Sequence, residues 1–278
     1  MSYVVATDLQ QALNALAADP VSLIAGGTDW FPAQGHRPFK GRLLDLTRVA
    51  ALRGITRQDN CWRFGATTTW SDVIRADLPP AFSALQQAAR EVGSVQIQNT
   101  GTLAGNLCNA SPAADGVPPL LMLDAEVELT SLTGQRRMKV TEFLLGVRQT
   151  ARRPDELLSA IHVLAPPERA QSAFVKLGAR KYLVISICMI SALVVVEQGH
   201  ISDARVAVGA ASPVAQRMTA LEQALEGLPV AEVAAAIRSA HFKGLTPISD
   251  IRATAEYRRE ALMTATSRAL AQAIERSL

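Results

Sequence analysis

Residues 97–119, IQNTGTLAGNLCNASPAADGVPP, decide how the rest of the chain is read. The stretch holds three glycines, three asparagines and three prolines, and Asp115 is its only charged residue. Glycine and proline both weaken helices and strands, so this mixture reads as a long loop. Loops longer than about 12 residues in a compact domain are usually functional or disordered. Ile97, Leu103 and Leu107 recur through this one and favour order. Gly101 and Gly105 supply flexible backbone, and Thr102, Asn106 and Ser111 supply short polar groups. Asp115 only accepts hydrogen bonds when ionised, which suits a ribose hydroxyl or a ring N–H. A packed surface loop is the alternative reading.

A second glycine segment lies upstream, at Ile24, Ala25, Gly26, Gly27, Thr28, Asp29, Trp30 and Phe31. It follows VSLI (21–24), a short apolar run that reads as a buried strand. Paired glycines permit positive φ and close backbone approach. Consecutive N–H groups in such a turn form an anion nest, and the Thr28 hydroxyl adds a donor. The Asp29 carboxylate would repel a phosphate but can accept N–H groups and brace the turn. An ordinary tight turn is the other reading. The motif is neither GxGxxG nor GxxxxGK[ST], so it marks neither a Rossmann nor a Walker loop. Two separate small-residue segments together suit a long anionic ligand such as a dinucleotide.

Around these segments the chain reads as mixed α and β. TDLQQALNALAADP (7–20) is an amphipathic helix with Thr7 or Asp8 as cap and Leu9, Ala12, Leu13 and Leu16 on one face. RLLDLTR (42–48) is a strand, and Asp59-Asn60 marks a hairpin before Trp62, Phe64 and Ala66. PPAFSALQQAAREVG (79–93) is a helix opened by proline and closed by glycine. LDAEVELTSLTGQRRMKVTEF (123–143) and ISALVVVEQGHISDARVAVGAA (190–211) are hairpins, and DELLSAIHVL (155–164) is a strand. Ala165-Pro166-Pro167-Glu168 marks a boundary. From Thr219 the chain reads as helical, ending in a long helix from about Ser249 to Ser277 with Ser249 or Asp250 as cap. Strands followed by helices give an α+β class for the last third.

Composition narrows the function. With 278 residues, 49% of them hydrophobic and 19% charged, and a mean hydropathy of +0.14, the chain describes a globular protein. A net charge of +3 and basic pairs set among acids, as in RRPDE (152–156) and EYRRE (256–260), make no case for nucleic acid. Cys61, Cys108 and Cys188 are scattered, as are His36, His162, His200 and His241. No metal-ligand spacing appears, so no metal site is expected on this chain. The apolar run Leu183–Val196 is too short to span a bilayer and reads as buried core. The start, MSYVVATDLQQ, lacks signal-peptide character, so a cytoplasmic location is expected, with export on a partner's signal left open.

AGGTD (25–29) and QNTGTLAGNLCNASPAAD (98–115) together resemble the FAD-binding subunit of molybdenum hydroxylases, the xanthine dehydrogenase and carbon monoxide dehydrogenase flavoprotein group. FVKLGAR (174–180) and PISDIRATAEYRRE (247–260) extend the resemblance over nearly the whole chain. It implies a PCMH-type FAD-binding fold over 1–166, with subdomains at about 1–54 and 55–166. A C-terminal domain of antiparallel sheet and helices would occupy 167–278. By the same resemblance, Ile24–Phe31 hold the FAD pyrophosphate. Gly101, Thr102, Leu103, Ala104, Gly105 and Asn106 contact it from the second segment. Asp115 hydrogen-bonds the adenosine or flavin side, Leu158 packs near the cofactor by its backbone, and Lys176 lies near the flavin ring. The family usually has two adjacent glycines where this chain has Ala104-Gly105, and alanine disfavours positive φ. No residue is assigned a catalytic role.

The resemblance further implies an electron-transfer subunit. Electrons would arrive from 2Fe–2S clusters on a small iron–sulfur subunit, having left a large molybdenum-cofactor subunit, and FAD would pass them to NAD, a quinone or oxygen. Two other readings share the motifs: a stand-alone flavin oxidoreductase and a non-catalytic nucleotide-binding assembly module. The first needs a substrate-oxidising residue set, and the sequence displays none.

Overall fold

The computed structural model describes residues 2–36 and 39–277. They divide into two compact units, each built from three separated segments. One comprises residues 1–76, 94–110 and 125–164; the other comprises 77–93, 111–124 and 165–278.

The first unit contains a parallel sheet and an antiparallel one. Strands β1 (Ser2–Val5), β2 (Ser22–Ile24) and β3 (Arg42–Asp45) form the parallel sheet in the order β1-β3-β2. Parallel neighbours need a crossover, and the helix Leu9–Ala18 follows β1 and precedes β2. Asp8 caps that helix by accepting from the Gln11 N–H, and Ala12, Leu13 and Leu16 are its buried face. Leu43 and Leu44 of β3 are both buried, as the central position of their strand requires.

The antiparallel sheet runs β4-β5-β10-β6-β7, from β4 (Ile55–Gln58), β5 (Cys61–Gly65), β6 (Glu126–Ser131), β7 (Gly134–Lys139) and β10 (Leu157–Leu164). Between β7 and β10 lies a short ribbon of β8 (Leu144–Gly146) and β9 (Gln149–Thr150). The central strand β10 is buried along nearly its whole length, with a bulge between Leu158 and Ala160 against β6. The β6–β7 hairpin turns through Leu132-Thr133.

The second unit is an antiparallel sheet, β11 (Gln171–Leu177), β12 (Cys188–Glu197), β13 (His200–Gly209) and β14 (Gln216–Arg217), in that order. Every second residue of β12 (Cys188, Ile190, Ala192, Val194) joins one buried cluster with Leu262, Ala265, Ala269 and Leu270 of the helix Ala255–Glu275. The edge strand β11 is covered by the helix Ser83–Glu91. Ala84 N–H donates to Ser172 Oγ at 2.9 Å, and Phe174 N–H donates to Gln87 Oε1 at 2.9 Å. The Phe174 N–H, an edge donor that would otherwise be open to another strand, is thereby satisfied.

Several sequence expectations are corrected here. Residues 97–119 are not one loop: they hold most of the helix Val95–Thr100, the helix Leu103–Asn109 and the start of the helix Val117–Met122. The reason is capping. Thr102, read as loop chemistry, accepts from the Gly105 N–H and starts a helical turn, and Ser94 just upstream does the same by accepting from the Ile97 N–H. The long C-terminal helix begins at Ala255 and is capped by Thr254, which accepts from the Tyr257 N–H. Neither Ser249 nor Asp250 occupies the cap position, but Ser249 Oγ does accept from the N–H of Ala255, the first helical residue, at 2.9 Å, while Asp250 accepts from the N–H groups of Arg252 and Ala253 in a turn. The apolar run Leu183–Val196 is core only from Ile187 onward, since Leu183 and Ile185 are exposed. No helix among the described residues is long and apolar enough to cross a membrane.

Candidate functional site

In the first unit the two glycine segments meet. β2 ends at Ile24, and the backbone then turns through Ala25–Asp29 into the short helix Trp30–Gln34. Gly27 has φ +67°, a left-handed conformation that strains any residue with a Cβ. Gly26 answers a different need: a Cβ there would sit 2.0 Å from the Thr100 carbonyl oxygen. A Cβ on Gly101 would in turn lie 3.1 Å from Thr28 Oγ1. The glycines of each segment therefore let the other segment approach.

The two segments differ in what they leave open. Among the described residues, the N–H groups of Gly26, Gly27, Thr28 and Asp29 have no protein acceptor. Four consecutive open donors around a left-handed glycine make a concavity suited to an anion. In the second segment most donors are spent internally. Gly101 N–H donates to Ile97 O at 2.7 Å, Leu103 N–H to Thr68 O at 3.0 Å, Gly105 N–H to Thr102 Oγ1 at 3.0 Å and Asn106 N–H to Thr102 O at 3.1 Å. Of its side-chain atoms, Asn106 Oδ1 is buried and without a partner among the described residues. A buried acceptor without a donor is costly, and a bound hydroxyl or amide would relieve it.

Ala104 is buried inside the helix Leu103–Asn109 and is not among the positive-φ residues. Its methyl group therefore causes no backbone strain, and the departure from paired glycines costs nothing there. Asp29 does not brace the turn as expected: it stands at the cap position of Trp30–Gln34 with no side-chain cap bond. Trp30 packs edge-on to Phe31 and Phe39, at 5.1 and 5.0 Å between ring centres, while Phe31 itself is largely exposed. Leu158 lies in β10 beside the bulge with its side chain buried.

Asp115 and Lys176 belong to the second unit, where they form a buried ion pair. Lys176 Nζ donates to Asp115 Oδ2 at 2.6 Å and to Glu91 O at 3.2 Å, and Ser186 Oγ donates to Asp115 Oδ1 at 2.6 Å. Burial pushes the Asp115 carboxyl up, opposed by the Lys176 ammonium and the Ser186 hydroxyl. Sequence reasoning missed Ser186 and Glu91, which carry no motif of their own. It also missed Thr68 and Thr69, which bridge to the second glycine segment in the first unit; the run Thr67-Thr68-Thr69 was its only trace.

The residues present fit a dinucleotide diphosphate, on the strength of the open donor run at Gly26–Asp29 and the unpartnered Asn106 Oδ1. Comparison with known proteins points the same way. Residues 1–166 match the family model for the FAD binding domain in molybdopterin dehydrogenase. Residues 172–273 match that for the CO dehydrogenase flavoprotein C-terminal domain. The chain is 32% identical over 279 residues to a xanthine dehydrogenase FAD-binding subunit of Escherichia coli, covering 98% of this chain and 96% of that one. It is 33% identical over 287 residues to the 6-hydroxypseudooxynicotine dehydrogenase complex subunit alpha of Paenarthrobacter nicotinovorans, covering 99% and 95%. Its fold superposes with a TM-score of 0.90, at 26% identity, on a chain of carbon monoxide dehydrogenase from Hydrogenophaga pseudoflava, covering 99% and 98% of the two chains. Two family models spanning nearly the whole chain, and relatives of matching length, leave one assignment: the chain belongs to the FAD-binding medium subunits of the molybdopterin dehydrogenase and CO dehydrogenase flavoprotein family.

Proposed function

We propose that this chain is the FAD-binding electron-transfer subunit of a molybdenum-containing hydroxylase or dehydrogenase. Its partners would be a 2Fe–2S subunit and a large molybdenum-cofactor subunit, and its acceptor NAD, a quinone or oxygen. FAD, when bound, supplies the exchange of electrons between one-electron carriers and a two-electron acceptor. The protein's work is to bind and orient. The N–H groups of Gly26–Asp29 receive the pyrophosphate oxygens, and the Thr28 hydroxyl adds a donor. Gly101, Thr102, Leu103, Ala104, Gly105 and Asn106 line the same ligand from the second segment, and Asn106 Oδ1 takes a donor from it. Asp115, Leu158 and Lys176 carry over from the resemblance as further contacts. A lysine held by a buried carboxylate keeps its charge in place, and a fixed cation favours the electron-rich form of a nearby ring.

The observation that carries this reading is the run of four open N–H groups around left-handed Gly27. The test is the visible spectrum of the purified chain and of its complex. Flavin bands at about 370 and 450 nm, with FAD released on denaturation, are expected. A colourless protein that fails to take up added FAD would overturn the assignment. Flavin that is reduced by a substrate of the chain alone, with no partner present, would transfer the proposal to a stand-alone oxidoreductase.

A further inference from the structure

Away from the glycine segments, one face of the antiparallel sheet of the first unit aligns a thiol, an imidazole and a carboxylate. Cys61 of β5 lies with its Sγ 3.7 Å from His162 Nδ1 of β10. His162 Nε2 lies 3.1 Å from Glu128 Oε2 of β6. Glu128 Oε1 accepts from Ser159 Oγ at 2.7 Å, and Arg137 approaches Oε2 at 3.4 Å. These donors, the imidazole foremost, hold the Glu128 carboxyl down at about 2. Near neutral pH it is therefore a pure acceptor.

That fixes the hydrogen on the imidazole. A carboxylate can only accept, so Nε2 must carry the N–H that faces it. In a neutral ring the lone pair is then on Nδ1, the atom facing Cys61. The remaining charged neighbours across the sheet are Arg63, in register with His162 on β5, and Glu126, in register on β6. The thiol has one further acceptor in reach, the Trp62 carbonyl at 3.7 Å. Cys61 is half-buried, whereas His162 and Glu128 are buried, so Cys61 is the most exposed residue of the set.

We propose that Cys61 is a peroxide-reactive thiol, with His162 as its proton acceptor and Glu128 as the residue that positions His162. The Cys61 sulfur attacks one oxygen of hydrogen peroxide, and the O–O bond breaks. The thiol proton passes to Nδ1 and on to the departing hydroxide, which leaves as water. Sulfur is oxidised by two electrons to a sulfenic acid, and the peroxide is reduced by the same two. A base in hydrogen-bond reach and an oriented partner behind it are the requirements of an activated nucleophile.

The experiment is limited exposure of the purified protein, with its partners, to hydrogen peroxide at neutral pH. Sulfenic acid is trapped with a dimedone reagent and located by peptide mass spectrometry. N-acetylcysteine serves as the free-thiol reference. Cys61 is expected to label at least about a hundredfold faster than the reference, the low end of general-base assistance. His162→Gln and Glu128→Gln are each expected to remove most of that excess. The wild-type rate decides the matter without any variant: Cys61 labelling no faster than N-acetylcysteine overturns the proposal. A folded His162→Gln protein that keeps the wild-type rate overturns it too. Flavin content is read in parallel and is expected not to change, so this result is independent of the cofactor assignment.

Discussion

Lys176 and Asp115 face each other at 2.6 Å with side chains only 6% and 8% exposed. Removing either partner strands a charge inside the second unit. Lys176→Met is expected to cost about 3–5 kcal/mol, as breaking buried pairs does. The Lys176→Met, Asp115→Asn double variant, which leaves no charge, is expected to recover part of that loss. Urea midpoints for the two singles and the double check it; strict additivity would show that the two groups do not act as a pair.

Glu128 supplies a pH-dependent share of stability. Its carboxyl is held down from the ordinary 4.5 to about 2, chiefly by the His162 hydrogen bond. A lowered carboxylate stabilises the folded state fully above its unfolded value, and that share is lost as pH falls from about 4.5 towards 2. Unfolding free energies measured across this window are expected to slope less steeply for Glu128→Gln than for the native chain. Parallel slopes would contradict the assignment.

The glycine turn makes a prediction about cofactor retention. Gly26→Ala places a Cβ 2.0 Å from the Thr100 carbonyl, so the two segments must part. Gly27→Val places a β-branched residue at φ +67°. Each is expected to destabilise by about 1–3 kcal/mol and to purify with little flavin. Full flavin occupancy in Gly27→Val would refute the role given to the open donors.

Ala104→Gly restores the paired glycines that the family usually has. Because Ala104 lies in a helix and is buried, the change is expected to lower stability by about 1 kcal/mol and leave flavin content as it was. A gain in flavin affinity would mean that the methyl group does obstruct the ligand.

Arg258 ties three segments of the second unit together. Its guanidinium donates to the carbonyls of Ile187 and Ala210 and, at 2.8 Å, to Asp250 Oδ1. Lysine cannot reproduce that fork, so Arg258→Lys is expected to cost at least about 2 kcal/mol. Thermal unfolding checks it, and a midpoint matching the native chain would refute it.

Much of this architecture was legible because its signals are local. The β12–β13 hairpin announces itself by an apolar run on each side of Gln198-Gly199, and the first helix by Asp8 three residues before Gln11. The segment 97–119 was not legible as helix, because Ser94 and Thr102 look the same in a sequence whether they cap a turn or line a loop. The two glycine segments could be named as a pair from composition. Their division of labour could not, since it depends on a Thr100 carbonyl some 70 positions away in the chain from Gly26. The Cys61, His162 and Glu128 alignment rests wholly on strand order and register, which no spacing in the sequence encodes.

The interleaving of the two units governs how the chain can fold while it is being made. β5 finds its neighbour β10 only after the segments 77–93 and 111–124, which belong to the other unit, have left the ribosome. Those segments must then wait for Ala165 onward to be synthesised. Neither unit can be completed from one uninterrupted length of nascent polypeptide, so folding in strict N-to-C order, one unit after the other, is closed to this protein. The same wiring makes either unit a poor choice for expression as a fragment. A product ending near residue 166 would carry two orphaned segments whose apolar faces, including Leu85, Ala88, Leu120 and Leu121, have lost their cover.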